Sequence, residues 1–138
     1  MEAAATWIAF AASVGTILQL SGEVIKYIEA ATEAVDERQS LRNRIIATSD
    51  VLRLLEARAR LDGRKPTMNA LNAPHGPFDQ FRAILETLKE DLRPAGTSTV
   101  RLAERVTWYF SQHKVNKMVS AIEHFKTLFS LALQNETL

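Results

Sequence analysis

Residues 3–22 read AAATWIAFAASVGTILQLSG, twenty positions without a charge, bounded by Glu2 and Glu23. A helix of that length rises about 30 Å, the thickness of a bilayer's hydrocarbon core. Its large apolar side chains are Trp7, Ile8, Phe10, Val14, Ile17, Leu18 and Leu20; the others are Ala, Gly, Ser, Thr and Gln. Trp7, Phe10, Val14, Ile17, Ser21, Val24 and Ile28 recur at alternating steps of three and four, a coiled-coil-like seam suited to docking on other helices in water. Ala5, Ala9 and Ser13, and separately Ala11 and Gly15, are small residues four apart, the spacing that lets helices approach closely in lipid. The segment therefore has two options, the first helix of a soluble bundle or an element that enters a membrane. It does not read as a signal peptide. Glu2 stands where a basic region belongs, and the apolar pattern runs past Gly22 into VIKYIEAA without a cleavage-like break.

Working outward, the helical period dominates and no stretch alternates with period two for long. The first helix is expected to continue to Ala34 with a kink at Gly22, followed by a capping box from Asp36 and Gln39. The second is expected over about 37–61, with Leu41, Ile45, Thr48, Leu52, Leu55 and Ala59 inward. Arg38, Arg42, Arg53 and Arg60 fall within about 60° of one another on its wheel. They are either a solvated edge paired with acids of the first helix, or a patch for anionic headgroups or phosphates.

The stretch 62–76, DGRKPTMNALNAPHG, holds two glycines and two prolines and is expected as a loop with one turn near Met68–Leu71. Gly76–Pro77 opens a third helix with Phe78, Phe81, Ile84, Leu85, Leu88 and Leu92 inward. Thr97–Thr99 are expected to cap a short helix ending at Trp108-Tyr109-Phe110, an aromatic triplet that reads as core or as an interface anchor. Ser111 caps the last helix, whose inward residues are Val115, Met118, Val119, Ile122, Phe125, Phe129 and Ala132, widened by Leu128, Leu131 and Leu133. That breadth predicts a central position. The fold class is all-α: a single domain over 1–138, a helical bundle of four long helices plus a short one, up-and-down in style.

The 138 residues contain no cysteine, and the net charge is +1. Charge is unevenly placed. Residues 1–37 carry Lys26 against six acids, and 38–65 carry eight basic residues against Asp50, Glu56 and Asp62. The two segments are opposite in sign, which favours packing side by side and leaves a basic surface if the first departs. His75, His113 and His124 have no metal-site spacing. No phosphate-binding glycine loop and no GxSxG is present, so the sequence implies no enzyme, cofactor or metal. An arginine stripe without a recognition motif does not support nucleic-acid binding.

Several strings resemble one family. ASVGTILQLSGEVIKYI is similar to the opening of the fungal HeLo-like domains, the N-terminal domains of fungal STAND proteins, which are NOD-like receptors. DERQSLRNRI resembles the family's junction into its second helix. GPFDQFRAILETLKEDLRP resembles its third, with Gly76, Pro77, Asp79, Gln80 and Phe81 in matching positions. WYFSQHKVNKMVSAIEHFKTLFSLALQNETL resembles its ending; Tyr109 replaces the usual Pro, while Trp108, Phe110 and the run 126–135 match.

The resemblance implies a relative of the HeLo cell-death domains and of the necroptosis executioner bundles. It implies a domain that is cytoplasmic at rest and that, when clustered, self-associates at the plasma membrane and permeabilises it. Anionic lipids are the expected membrane partner. Ala3–Gly22 would be the inserting element. A NACHT module or prion-like motif would lie beyond residue 138 or on a partner, so the chain is expected to be one module of a longer protein. Related plant executioners line a cation pore with first-helix acids. Ala3–Gly22 has none, so membrane disruption, or a pore lined by Ser13, Thr16 and Gln19, is expected instead. The rival expectations are a helical adaptor that acts through protein contacts alone and a structural cap that holds a receptor inactive.

Overall fold

Five helices follow one another: α1 (Glu2–Ala30), α2 (Val35–Asp62), α3 (Lys65–Leu71), α4 (Pro77–Leu92) and α5 (Gln112–Gln134). The computed structural model describes residues 2–31, 34–62, 65–92, 108 and 110–134, and no strand occurs among them. The protein is an all-α bundle of four long helices and one short one.

The three–four seams decide what is inside. Phe10, Val14, Ile17, Ser21, Val24 and Ile28 of α1 are buried, and Trp7 is half-buried against them. On α2 the buried face is Leu41, Ile45, Thr48, Leu52, Leu55 and Ala59, the face expected. α4 buries Phe78, Phe81, Leu85, Leu88 and Leu92, and α5 buries Val115, Ile122, Phe125 and Phe129. Aromatic rings tie three helices together. Phe10 lies 5.4 Å from Phe78, Phe78 lies 5.6 Å from Phe129, and Phe81 lies 5.7 Å from Phe129, edge-on in the last two pairs. Such pairs add about 0.5–1.5 kcal/mol each beyond the area they bury.

The same contacts fix direction. Arg42 reaches back to Glu29 across the α1–α2 hairpin, so these two helices are antiparallel. Phe10 meets Phe78 and Glu23 pairs with Lys89, so α1 and α4 run parallel. Phe78 meets Phe129 while Asp91 pairs with Lys114, so α4 and α5 are antiparallel. Direction alternates along the chain, yet α2 and α5, the most extensively packed pair, run the same way. The link from α2 to α4 therefore crosses the bundle diagonally, and α3 is that link, packed on α1 and α4. The start of α1, the end of α2, α3, the start of α4 and the end of α5 gather at one pole, here called the α3 end. The α1–α2 hairpin lies at the other.

Several local expectations are corrected. α1 ends at Ala30, short of Ala34. The capping box at Asp36 does not form. Ala34 takes a left-handed φ of 52° and its carbonyl accepts from the Arg38 amide, so the helix starts earlier and Asp36 sits inside its first turn. The segment 62–76 is not simply loop: Lys65–Leu71 makes about two helical turns, with Met68 and Leu71 buried. α5 is not central; it borders α2 and α4, whereas α1 borders α2, α3 and α4. The short helix expected over 97–110 lies outside the described residues except for Trp108 and Phe110. Those two are half-buried and buried, ring to ring at 5.0 Å.

Two helix starts fall where expected, α4 at Pro77 and α5 directly after Ser111. Ser111 Oγ accepts from the Lys114 amide at 3.1 Å, an N-cap. At the start of α4 the His75 amide donates to Asp79 Oδ2, Gln80 Nε2 donates to the His75 carbonyl, and the Gln80 amide donates to the Gly76 carbonyl. A Cβ on Gly76 would sit 2.8 Å from the Ala73 carbonyl oxygen, so this tight turn has no room for a side chain there.

Candidate functional site

α1 divides lengthwise into two faces. Phe10, Val14 and Ile17 are at most 1% exposed and belong to the core. Trp7, Leu18 and Leu20 are half-buried against it, while Ile8 stands 65% exposed. The outer face carries Ala5, Ile8, Ala9, Ala12, Gly15, Thr16, Gln19 and Gly22, and no charge. Of the small residues, Ala5, Ala9 and Gly15 lie on this open face, whereas Ala11 and Ser13 are half-buried. The seven apolar residues are thus not one surface. Most become available to lipid only when α1 leaves the bundle, and the outer stripe is available already. By length and composition α1 is the one described helix long and apolar enough to cross a membrane, with mean hydropathy 1.5 over its most apolar 18 residues.

The polar contacts described for α1 differ along its length. In the charged stretch after Gly22, Glu23 pairs with Lys89 of α4, Glu29 with Arg42 at 2.9 Å, and the Ile28 carbonyl accepts from Arg38 at 3.3 Å. Within the uncharged stretch Ser13 Oγ donates to Asn72 Oδ1 at 2.7 Å, reaching the turn after α3. Ser21 Oγ is buried in the seam without a hydrogen-bond partner among the described residues. A buried hydroxyl left unpaired costs about 1–3 kcal/mol, so the seam is not optimised at this point.

The four arginines do not form one patch. Arg38 and Arg42 sit at the hairpin end and are engaged with α1. Arg53 and Arg60 lie toward the α3 end and are exposed; Arg53 pairs with Asp50 of its own helix at 3.0 Å. From Arg38 to Arg60 the helix rises about 33 Å. A helical wheel places the four in one sector and discards that distance.

Other exposed surfaces depart from the expected pattern. Leu131, expected to widen the buried face of α5, is 60% exposed. It lines an apolar groove of about 370 Å³ with Pro66, Ala70, Leu71, Pro77 and Leu128. Leu54 and Leu61 of α2 are 58% and 84% exposed. The signal for these two was present: they are seven apart and fall outside the 41–45–48–52–55–59 seam. Among the described residues no group of three His, Cys, Asp or Glu could hold a metal ion.

Comparison of the chain with protein-family models, with curated proteins and with solved structures finds no match. The functional reading therefore rests on the geometry just described and on the resemblance of the sequence strings quoted above.

Proposed function

We propose that this domain is a membrane-permeabilising effector of the HeLo-like kind, with α1 as the inserting element, docked at rest and released when copies are clustered. The observation that carries this reading is the outer face of α1: Ala5 to Gly22 is exposed along one side without a single charge. A helix on a water-facing surface normally shows charged or polar residues there. A helix that must leave water for lipid cannot carry them, because each charge at the bilayer centre costs about 2.5–3.5 kcal/mol on insertion scales.

Magnitudes support a docked resting state. Undocking exposes Phe10, Val14, Ile17, Val24 and Ile28, which at about 1.5–3 kcal/mol each amounts to roughly 10 kcal/mol. Entry into lipid returns that term for Phe10, Val14 and Ile17, but not for Val24 and Ile28 in the charged stretch, and it costs the desolvation of Ser13, Thr16 and Gln19 and the pairs Glu23–Lys89 and Glu29–Arg42. A lone α1 therefore stays in the bundle. Clustering supplies what is missing, through close helix packing at Ala5, Ala9, Ala11, Ser13 and Gly15 and through many headgroup contacts at once. The proposed location is cytoplasmic at rest and plasma membrane when active, with signalling from a NACHT or prion-motif region elsewhere.

The test is dye release from phosphatidylcholine vesicles with and without phosphatidylserine, using the domain alone and fused to an oligomeriser. Variants at Phe10 or Ile17 would unfold the core, so the informative change is Ile8→Glu on the exposed face. Release that requires clustering and is lost in folded Ile8→Glu supports the proposal. The alternative reading, an adaptor acting through protein contacts, is favoured by the open apolar groove between α3 and α5. Absence of release from folded, clustered protein on either vesicle would transfer the function to that groove.

A further inference from the structure

Five large apolar residues are exposed among those described: Ile8, Val35, Leu54, Leu61 and Leu131. Scattered singly they would mean nothing. Four of them, however, belong to the α3 end: Ile8 from the start of α1, Leu54 and Leu61 from the second half of α2, and Leu131 from the end of α5. Val35 alone lies at the hairpin end. Arg53 and Arg60 immediately precede Leu54 and Leu61 in sequence, and both are exposed. The pairs Arg53–Leu54 and Arg60–Leu61 are seven apart, so they repeat on one side of α2 two turns apart.

We infer that the α3 end is a bilayer-docking surface, on which Leu54, Leu61, Ile8 and Leu131 enter the interfacial region while Arg53 and Arg60 meet anionic headgroups. Charge selects this occupant. Exposed leucines beside arginines are the composition of interfacial membrane binding, where buried apolar area and attraction to anionic lipid act together. The opposite pole carries exposed cations too, Lys26, Lys114 and Lys117, but it lacks the combination, since Val35 is its one exposed large apolar residue among those described. Docking by the α3 end places the beginning of α1 beside the bilayer. The uncharged stretch then reaches lipid before the charged stretch that follows Gly22. The Ser13–Asn72 hydrogen bond lies at this pole and would break first, while Glu23–Lys89 and Glu29–Arg42 hold the rest of α1 in place. The inference takes its partner, a bilayer, from the proposed function, but concerns binding before any insertion.

The experiment is co-sedimentation of the unclustered domain with phosphatidylcholine vesicles, with and without phosphatidylserine, at low and raised salt. All substitutions are at exposed positions, and far-UV circular dichroism checks folding. Leu54→Ser with Leu61→Ser is expected to weaken binding to both vesicles at least about tenfold. Arg53→Gln with Arg60→Gln is expected to cost about fivefold per arginine on phosphatidylserine vesicles and to remove the preference for them. Val35→Ser at the opposite pole is expected to bind as wild type does. Wild type that sediments with neither vesicle overturns the inference. So does a folded leucine double variant that binds normally, or Val35→Ser losing as much as it does. Dye release is read separately: clustered protein that permeabilises vesicles despite the leucine changes sinks the docking surface and leaves α1 insertion standing. Binding without release does the reverse.

Discussion

α1 and α2 are nearly the same length, 29 and 28 residues, and present the same kind of inner face. Each contributes a three–four seam of fully buried side chains to one core. Their outer faces differ up to Gly22, beyond which α1 too exposes charge at Lys26 and Glu29. Between Asp36 and Arg60 the exposed residues of α2 include Asp36, Arg44, Asp50, Arg53 and Arg60. Between Ala5 and Gly22 the exposed residues of α1 include Ala5, Ile8, Ala12, Gly15 and Gln19, without a charge. Inner faces decide that the chain folds as a bundle. The contrast between the outer faces is what separates a helix built only for water from one compatible with lipid as well.

The comparison can be broken first where the helices are alike. Ile17→Asp and Leu52→Asp each bury an unpaired carboxylate and are expected to lose several kcal/mol, enough to unfold a domain of ordinary stability. Thermal melts by circular dichroism should show both without a cooperative transition. A folded Ile17→Asp would mean that α1 is not part of the core. Truncation is milder: Phe10→Ala is expected to cost about 3–5 kcal/mol and Ile45→Ala about 2–5 kcal/mol by urea unfolding.

Smaller effects separate the two seams. Ser21→Ala removes a buried hydroxyl with no described partner and is expected to stabilise the domain by about 1 kcal/mol. Thr48 and Ser49 of α2 bond to the carbonyls of Arg44 and Ile45, so alanine at either is expected to give no such gain. Arg42→Ala is expected to cost about 0.2–1 kcal/mol, since its pair with Glu29 is partly exposed, and Arg53→Ala less. A larger loss at Arg53 than at Arg42 would contradict the division of the arginines between the two poles.

The inner faces were readable because burial leaves a period of three to four in the sequence, and every position of both seams except Trp7 is fully buried. Helix starts were readable where one residue carries the cap, as Ser111 does. They were not where backbone geometry does the work: Ala34 turns the chain with a left-handed φ that no residue preference announces. α3 is hidden in the sequence because Pro66 reads as a breaker, although proline is tolerated in a helix's first turn. The arginine patch failed for a different reason. Angular position on a wheel is legible in sequence, but proximity also needs axial position and knowledge of what each head bonds to. The exposed leucines were legible only as departures from the seam, and so became a surface only once the diagonal crossover had gathered four helix ends at one pole.

The central claim is that the uncharged outer face of α1 is there for lipid. It is tested most directly by placing one charge on each outer face and measuring dye release from phosphatidylserine-containing vesicles by the clustered domain. Thr16 and Asn43 are both exposed, and glutamate at either should change stability by no more than about 0.5 kcal/mol. The account expects Thr16→Glu to abolish release and Asn43→Glu to leave it at the wild-type level. Equal release from the two folded variants would contradict it.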